Sequence, residues 1–203
     1  MKCYEFQGKN IEELKQEALS SLNITENDCL IASSEEKGKL FKGATTTLKV
    51  YLISDIAEEI KEFLAETITK MGLEVNFETK IRDDQITIKM FSNQNNILIG
   101  TNGKNLKALQ QLVRQHIYRE IKVYPYILLD VENYKEKREQ SIEKLAKQIG
   151  REVLKTKQPV IMDNMNSYER RIVHNALMKF DKLTTFSEGE EPNRHIVIKY
   201  KED

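Results

Sequence analysis

Cysteine is scarce in this chain. Two thiols, Cys3 and Cys29, occur in 203 residues, with no Cys-x-x-Cys pair and no Cys/His cluster. Neither a disulfide framework nor a metal centre is expected, and a reducing cytoplasm is the simplest home. Long apolar runs are also missing. At 32% charged and 39% hydrophobic residues the chain can build small cores, but it offers no membrane span and no signal peptide, so an integral membrane protein is not expected. Carboxylates are plentiful, yet none stands beside a plausible nucleophile or metal set, and Glu190 and Glu191 read as turn-shaping residues. The expectation is a protein with no enzymatic activity and no cofactor. Net charge is absent too, at 32 cationic against 32 acidic residues, but the sum hides a split. Residues 1–89 hold 12 Lys plus Arg against 17 Asp plus Glu, whereas residues 90–203 hold 20 against 15. The basic half is the half to search for an anionic partner.

That half contains Ile97-Leu98-Ile99-Gly100-Thr101-Asn102-Gly103-Lys104-Asn105-Leu106. Glycines at positions 100 and 103 permit a tight turn and a close approach to the backbone that a Cβ would obstruct. A helix that follows immediately turns its positive end and unpaired N–H groups to the same spot. From Lys104 to about Glu120, Leu106, Leu109, Leu112, Val113 and Ile117 keep helical spacing toward a core, while Lys104, Lys107, Gln111, Arg114 and Gln115 share another side. A P-loop would need glycine at position 98 and a hydroxyl residue at position 105. Leu98 and Asn105 stand there instead, so nucleoside triphosphate hydrolysis is not expected at this loop.

Upstream, Asp55 and Glu58 suggest a capping box for a helix with Ile56, Ile60, Phe63, Leu64, Ile68 and Met71 on one stripe, ending at Gly72. Two alternating segments follow, Leu73-Val75-Phe77 and Ile86-Ile88-Met90, and the run Tyr126 to Val131 closes the set after Pro125. The order helix, strand, strand, short helix, Gly-x-x-Gly, long helix, strand resembles a type II KH domain over residues 54–134. In that family the loop clamps about four single-stranded nucleotides. The resemblance implies that Gly100, Thr101, Asn102 and Gly103 grip a backbone, that Lys104, Lys107 and Arg114 supply charge, and that Ile97 and Ile99 line a groove for bases or else serve the core.

Residues 135 to about 157 read as a charged helix with Ile142, Leu145, Ala146, Ile149, Val153 and Leu154 apolar, closed by Pro159. A short strand, Val160 to Met162, precedes a second helix that Asn166 can cap, with Glu169 reaching back. On it Arg170 and His174 lie four apart, on neighbouring turns. With Arg171 beside Arg170, the Ser187-Glu188-Gly189-Glu190-Glu191-Pro192 turn, Arg194 behind it and a strand from His195 to Tyr200, the segment 135–203 resembles the single-stranded nucleic-acid-binding domain named for its Arg-x-x-x-His pair. That resemblance implies contacts from Arg170 and His174, with Arg171 and Arg194 in support; Arg171 is equally well a solvated charge. His116 reads as a core residue, and His195 as the start of an edge strand.

Residues 1–53 read as strand, helix from an Asn10 cap, strand, strand, with Glu36 to Ala44 between the last two. Taken in order, the three parts resemble the bacterial Jag family, also called KhpB or SpoIIIJ-associated proteins, although Lys39, Phe41 and Lys42 depart from the apolar, glycine-rich loop usual there. The expected class is α+β: an N-terminal βαββ part (1–53), a KH part (54–134) and an Arg-x-x-x-His part (135–203). The resemblance implies a cytoplasmic protein that grips single-stranded RNA, or single-stranded DNA, in post-transcriptional regulation tied to cell elongation and division. It implies a small KH-only protein as a partner. Homodimerisation stays open, because no heptad or exposed apolar stripe sets it. A scaffold that recruits a protein or membrane-linked partner through residues 1–53 is the alternative.

Overall fold

The computed structural model describes residues 1–36, 45–83 and 85–201. The segment 37–44, with Lys39, Phe41 and Lys42, lies outside them. The architecture is α+β, built among the described residues on three three-stranded sheets, and the chain divides into two units, Met1–Glu132 and Asn133–Asp203.

In the first unit β1 (Tyr4–Gly8) and β2 (Cys29–Glu36) flank β3 (Thr45–Leu52), both antiparallel to it. Helix α1 (Ile11–Leu22) starts at Asn10, whose side chain accepts from the Glu12 N–H. Its Leu14 and Ala18 meet Cys29, Leu48 and Val50 in a small core, and burial pushes the Cys29 thiol pKa up. Cys29 is a packing residue.

Helix α2 (Ile53–Lys70) follows β3 without a loop. The expected capping box at Asp55 and Glu58 is not there: Leu52 is the N-cap and no side chain caps the helix. Ile53 is already buried in the first turn, so core packing of the strand-to-helix junction sets the start in place of a polar cap. Ile56, Ile60, Leu64 and Ile68 are fully buried, while Met71, expected on the same stripe, is exposed beyond the C-terminus. Each of these buried side chains contributes at most roughly 1.5–3 kcal/mol of transfer free energy.

The second sheet runs β4 (Asn76–Arg82), β5 (Gln85–Phe91), β6 (Tyr126–Val131), with β4–β5 antiparallel and β5–β6 parallel. Ile86, Ile88 and Met90 alternate inward and are fully buried. The parallel pair demands a crossover, which α3 (Asn95–Ile99), a single 3-10 turn (Thr101–Gly103) and α4 (Lys104–Ile121) supply. Leu106, Leu109, Val113, Ile117 and Ile121 form the buried stripe of α4. Leu112, expected among them, is 50% exposed: at 100° per residue it falls well to one side of the stripe. Gln110 ties α4 to the edge strand β6, donating to the Ile127 carbonyl at 2.8 Å and accepting from the Leu129 N–H at 2.7 Å. Glu59 of α2 is bonded by His116 Nε2 of α4 at 2.9 Å, and the His116 ring stacks on Phe63 at 4.3 Å between centroids. His116 is a half-buried packing residue with a carboxylate partner.

In the second unit α5 (Tyr134–Thr156) and α6 (Ser167–Leu177) pack on a sheet ordered β7 (Val160–Ile161), β9 (His195–Tyr200), β8 (Leu183–Glu188), all antiparallel. Strand β9 is central, so His195 does not begin an edge strand. The two-residue β7, contributed by the short run after Pro159, takes that edge. Ile142, Ala146, Val153, Val173, Leu177, Ile196 and Ile198 belong to one core. Leu145 of the expected α5 stripe is 46% exposed. Gly150 lets α6 come close, since a Cβ there would meet Leu177 Cδ2 at 2.6 Å.

Candidate nucleic-acid interface

The loop geometry explains the residue choice in Gly-Thr-Asn-Gly. Gly100 has φ +69° and ψ 178°, Asn102 φ +53° and Gly103 φ +76°, three positive-φ conformations in four residues. Glycine and, among side-chain-bearing residues, asparagine enter that region at least cost. Asn105 fixes the turn from within: its Nδ2 donates to the Ile97 carbonyl at 2.8 Å, and a Cβ on Gly100 would stand 2.6 Å from its Cγ. The Gly103 N–H closes the turn on the Gly100 carbonyl at 3.2 Å.

Gly103 is also the N-cap of α4, with no side chain capping that end. The positive end of an 18-residue helix therefore sits directly behind the exposed Thr101, Asn102 and Lys104, a ready place for an anion. Ahead of the loop, Leu98 is fully buried, Ile97 is 38% exposed and Ile99 half-buried. The aliphatic run thus divides, with its middle residue anchoring and Ile97 left at the surface.

Lys104, Lys107, Gln111, Arg114 and Gln115 are all exposed on α4 and fall within about a quarter of the helix circumference at 100° per residue. Among the described residues, none of Lys104, Lys107 and Arg114 forms an ion pair, whereas Lys15 of α1, Lys61 and Lys70 of α2 and Lys147 of α5 each pair with a glutamate on their own helix. A signal for this lies in the sequence beyond helical spacing: residues 85–119 contain no Asp or Glu. A second feature has no such signal. Tyr118, on the same side of α4, stacks on Tyr124 with centroids 4.2 Å apart and planes 8° from parallel, and Tyr124 is 52% exposed.

In the second unit the structure separates the expected residues. Asn166 caps α6 through the N–H groups of Tyr168 and Glu169, and Glu169 Oε2 accepts from the Asn166 N–H. Glu169 also accepts from Arg138 Nε at 2.8 Å. Arg170 is only 8% exposed: its Nη1 donates to the Met165 carbonyl and to Glu191 Oε1, both at 2.8 Å. His174, half-buried, bonds through Nδ1 to Thr185 Oγ1 of β8. It borders an open groove of about 390 Å³ that Leu177, Met178, Phe180 and Leu183 also line. Arg171 is exposed, and Arg194 donates through Nε to Ser187 Oγ at 3.1 Å across the β8–β9 hairpin. Arg170 and His174 thus face different surroundings, one a loop carboxylate and the other a groove.

Among the described residues no group of His, Cys, Asp and Glu is arranged to hold a metal ion, and no helix is long and apolar enough to cross a membrane.

Comparison with known proteins agrees with this layout. Residues 59–136 match the KH domain model, and residues 140–200 match the model of the domain named for its Arg-x-x-x-His pair. The RNA-binding protein KhpB of Clostridium symbiosum is 33% identical over 97% of this chain and 90% of its own length. The Bacillus subtilis protein of the same name is 30% identical over 96% of both. That of Streptococcus pneumoniae serotype 2 is 29% identical over 92% of this chain and 56% of its own length. A match of this extent, with a KH part followed by an Arg-x-x-x-His part, places the chain in the KhpB family.

Proposed function

We propose that this protein binds single-stranded RNA without catalysing a reaction on it, using the Gly100–Gly103 turn as its principal grip. In this reading Thr101, Asn102 and the uncapped start of α4 take one or two phosphates, and Lys104, Lys107 and Arg114 take those that follow. Ile97 and Ile99 offer apolar surface to splayed bases. The observation that carries the reading is the pairing of three positive-φ residues with a helix end that no side chain caps, beside cations that no carboxylate among the described residues neutralises. A turn of this shape brings a polyanionic chain against backbone N–H groups, and the loose cations give it a direction to run.

Residues 135–203 form the second grip. His174 and Arg171 make its direct contacts, and Arg194 supports the hairpin beside them. Arg170, held by Met165 and Glu191, positions the loop at 190–192 and reaches ligand only if Glu191 yields. Two grips on one chain raise affinity through effective concentration. Residues 1–53 form a third part with its own sheet, the 54–134 and 135–203 parts carry the RNA, and the work is cytoplasmic post-transcriptional control linked to cell elongation and division. A small KH-only protein and a second copy of this chain are the protein partners in this proposal.

The test replaces Thr101 and Asn102 together by Asp. Far-ultraviolet circular dichroism should stay unchanged while affinity for single-stranded RNA falls at least about tenfold, since two carboxylates at a phosphate site repel what the helix end attracts. Unaltered binding removes the loop from the mechanism.

A further inference from the structure

The stacked tyrosines at the far end of α4 lie outside the loop site, and the polar side of the helix connects the two. Starting at Gly103 and adding 100° per residue, Lys104, Lys107, Gln111, Arg114 and Tyr118 stay within one narrow sector. The buried Leu106, Leu109 and Val113 lie on the opposite side. Fifteen residues separate Gly103 from Tyr118, about 22 Å of helix at 1.5 Å per residue. At the 3.4 Å spacing of a stacked strand that length takes about six phosphates, and a splayed strand takes fewer.

What stands at its end is shaped for a base. Tyr118 covers one face of the Tyr124 ring at 4.2 Å. Tyr124, in the short connection between α4 and β6, keeps 52% of its surface exposed, so the stack with Tyr118 leaves about half of the residue to solvent. An exposed ring of this kind can take an apolar or an aromatic occupant. The charge around it selects which. Residues 85–119 carry no carboxylate, and Glu120, the first one after them, falls nearly opposite Tyr118 around the helix. A sector with cations that form no ion pair among the described residues and a half-exposed aromatic at its end suits a nucleotide chain better than an apolar peptide.

We infer that the RNA path does not stop at the glycine turn but continues along α4, with a base about five or six nucleotides from the loop, beyond the reach of a 4-mer, stacking on Tyr124. This rests on the loop reading above and extends it with a second contact that sets a minimum ligand length. Tyr118 is the positioning residue, Tyr124 the contact.

The experiment is a length series of fluorescein-labelled oligouridine, 4, 6, 8, 10 and 12 nucleotides, titrated into the full chain and read by anisotropy. Wild type should gain affinity steeply between the shorter and the longer probes. Tyr124→Ala should bind the 4-mer as wild type does and the 12-mer at least about fivefold more weakly, the low end for losing one base–aromatic stack. Tyr124→Phe should restore the 12-mer. Tyr126→Ala is the control, because Tyr126 is the exposed first residue of β6, in register with Gln85, on the sheet face away from buried Ile127, and should change nothing. Equal 12-mer affinity for wild type and Tyr124→Ala overturns the inference and leaves the pair as packing that ends a helix. Failure of the loop reading looks different: Thr101→Asp with Asn102→Asp would then leave the 4-mer unaffected, whatever Tyr124 does.

Discussion

Gly100→Ala isolates the turn on which the proposed grip depends. At φ +69° and ψ 178° residue 100 sits in a region reserved almost entirely for glycine, where a side-chain-bearing residue costs of order 1–3 kcal/mol. The new methyl would also stand 2.6 Å from Asn105 Cγ, so Asn105 must swing away and release the Ile97 carbonyl, a hydrogen bond worth roughly 1 kcal/mol net. The sum is about 2–4 kcal/mol, a large part of the stability usual for a domain. Urea unfolding followed by circular dichroism should show that loss as a lower midpoint at unchanged slope. Asn105→Ala alone should cost about 1 kcal/mol, and the double variant should cost less than the two together, because removing the amide also removes the obstacle to the methyl. A loss below about 0.5 kcal/mol for Gly100→Ala, or strict additivity in the cycle, would show that the turn is not built this way.

Three further outcomes follow from the same geometry. If Lys104, Lys107 and Arg114 neutralise about three phosphates on a single strand, a fourfold rise in salt weakens RNA binding roughly twentyfold, and replacing all three by Gln removes most of that slope; a titration at two salt concentrations decides it. Arg170→Ala leaves the Met165 carbonyl without its buried donor and should lower stability by about 1–3 kcal/mol, measured by thermal unfolding, whereas Arg171→Ala, at an exposed position, should leave stability within about 0.5 kcal/mol. His116, bonded to Glu59, holds that carboxyl below its ordinary value of 4.5. Because the folded pKa is the lower one, the stabilisation is present above the ordinary carboxylate range and is lost as pH falls through the folded value. Glu59→Gln should therefore flatten the acid limb of a stability–pH curve; an unchanged acid limb contradicts the pairing.

How much of this was legible beforehand depended on how local the cause was. The Gly-x-x-Gly loop and the Asn166 cap are local: their bonded residues lie at most eight positions apart, and backbone conformation and short-range bonding decide them. Helix α4 starts at Lys104 as expected because Gly103 leaves it no other start. The capping box at Asp55 failed because β3 runs straight into α2, and burial of Ile53 outweighs a polar cap. Leu112 and Leu145 have the right hydrophobicity, yet each falls to one side of a stripe whose width is set by the packing partner. His195 becomes central through β7, which lies far earlier in the chain, and Arg170 is occupied by Glu191, 21 residues away. The Tyr118–Tyr124 stack required knowing that the chain leaves α4 by turning back over its last turn. Spacing within one helix carries no trace of that.

The most direct test of the account is where RNA touches the protein. Ultraviolet crosslinking of the full chain to single-stranded RNA, followed by peptide mass spectrometry, should place adducts between Ile97 and Lys107, with a second group around His174. Crosslinks absent from residues 97–107 while the rest of the chain is labelled would contradict the claim that the glycine turn is the principal grip.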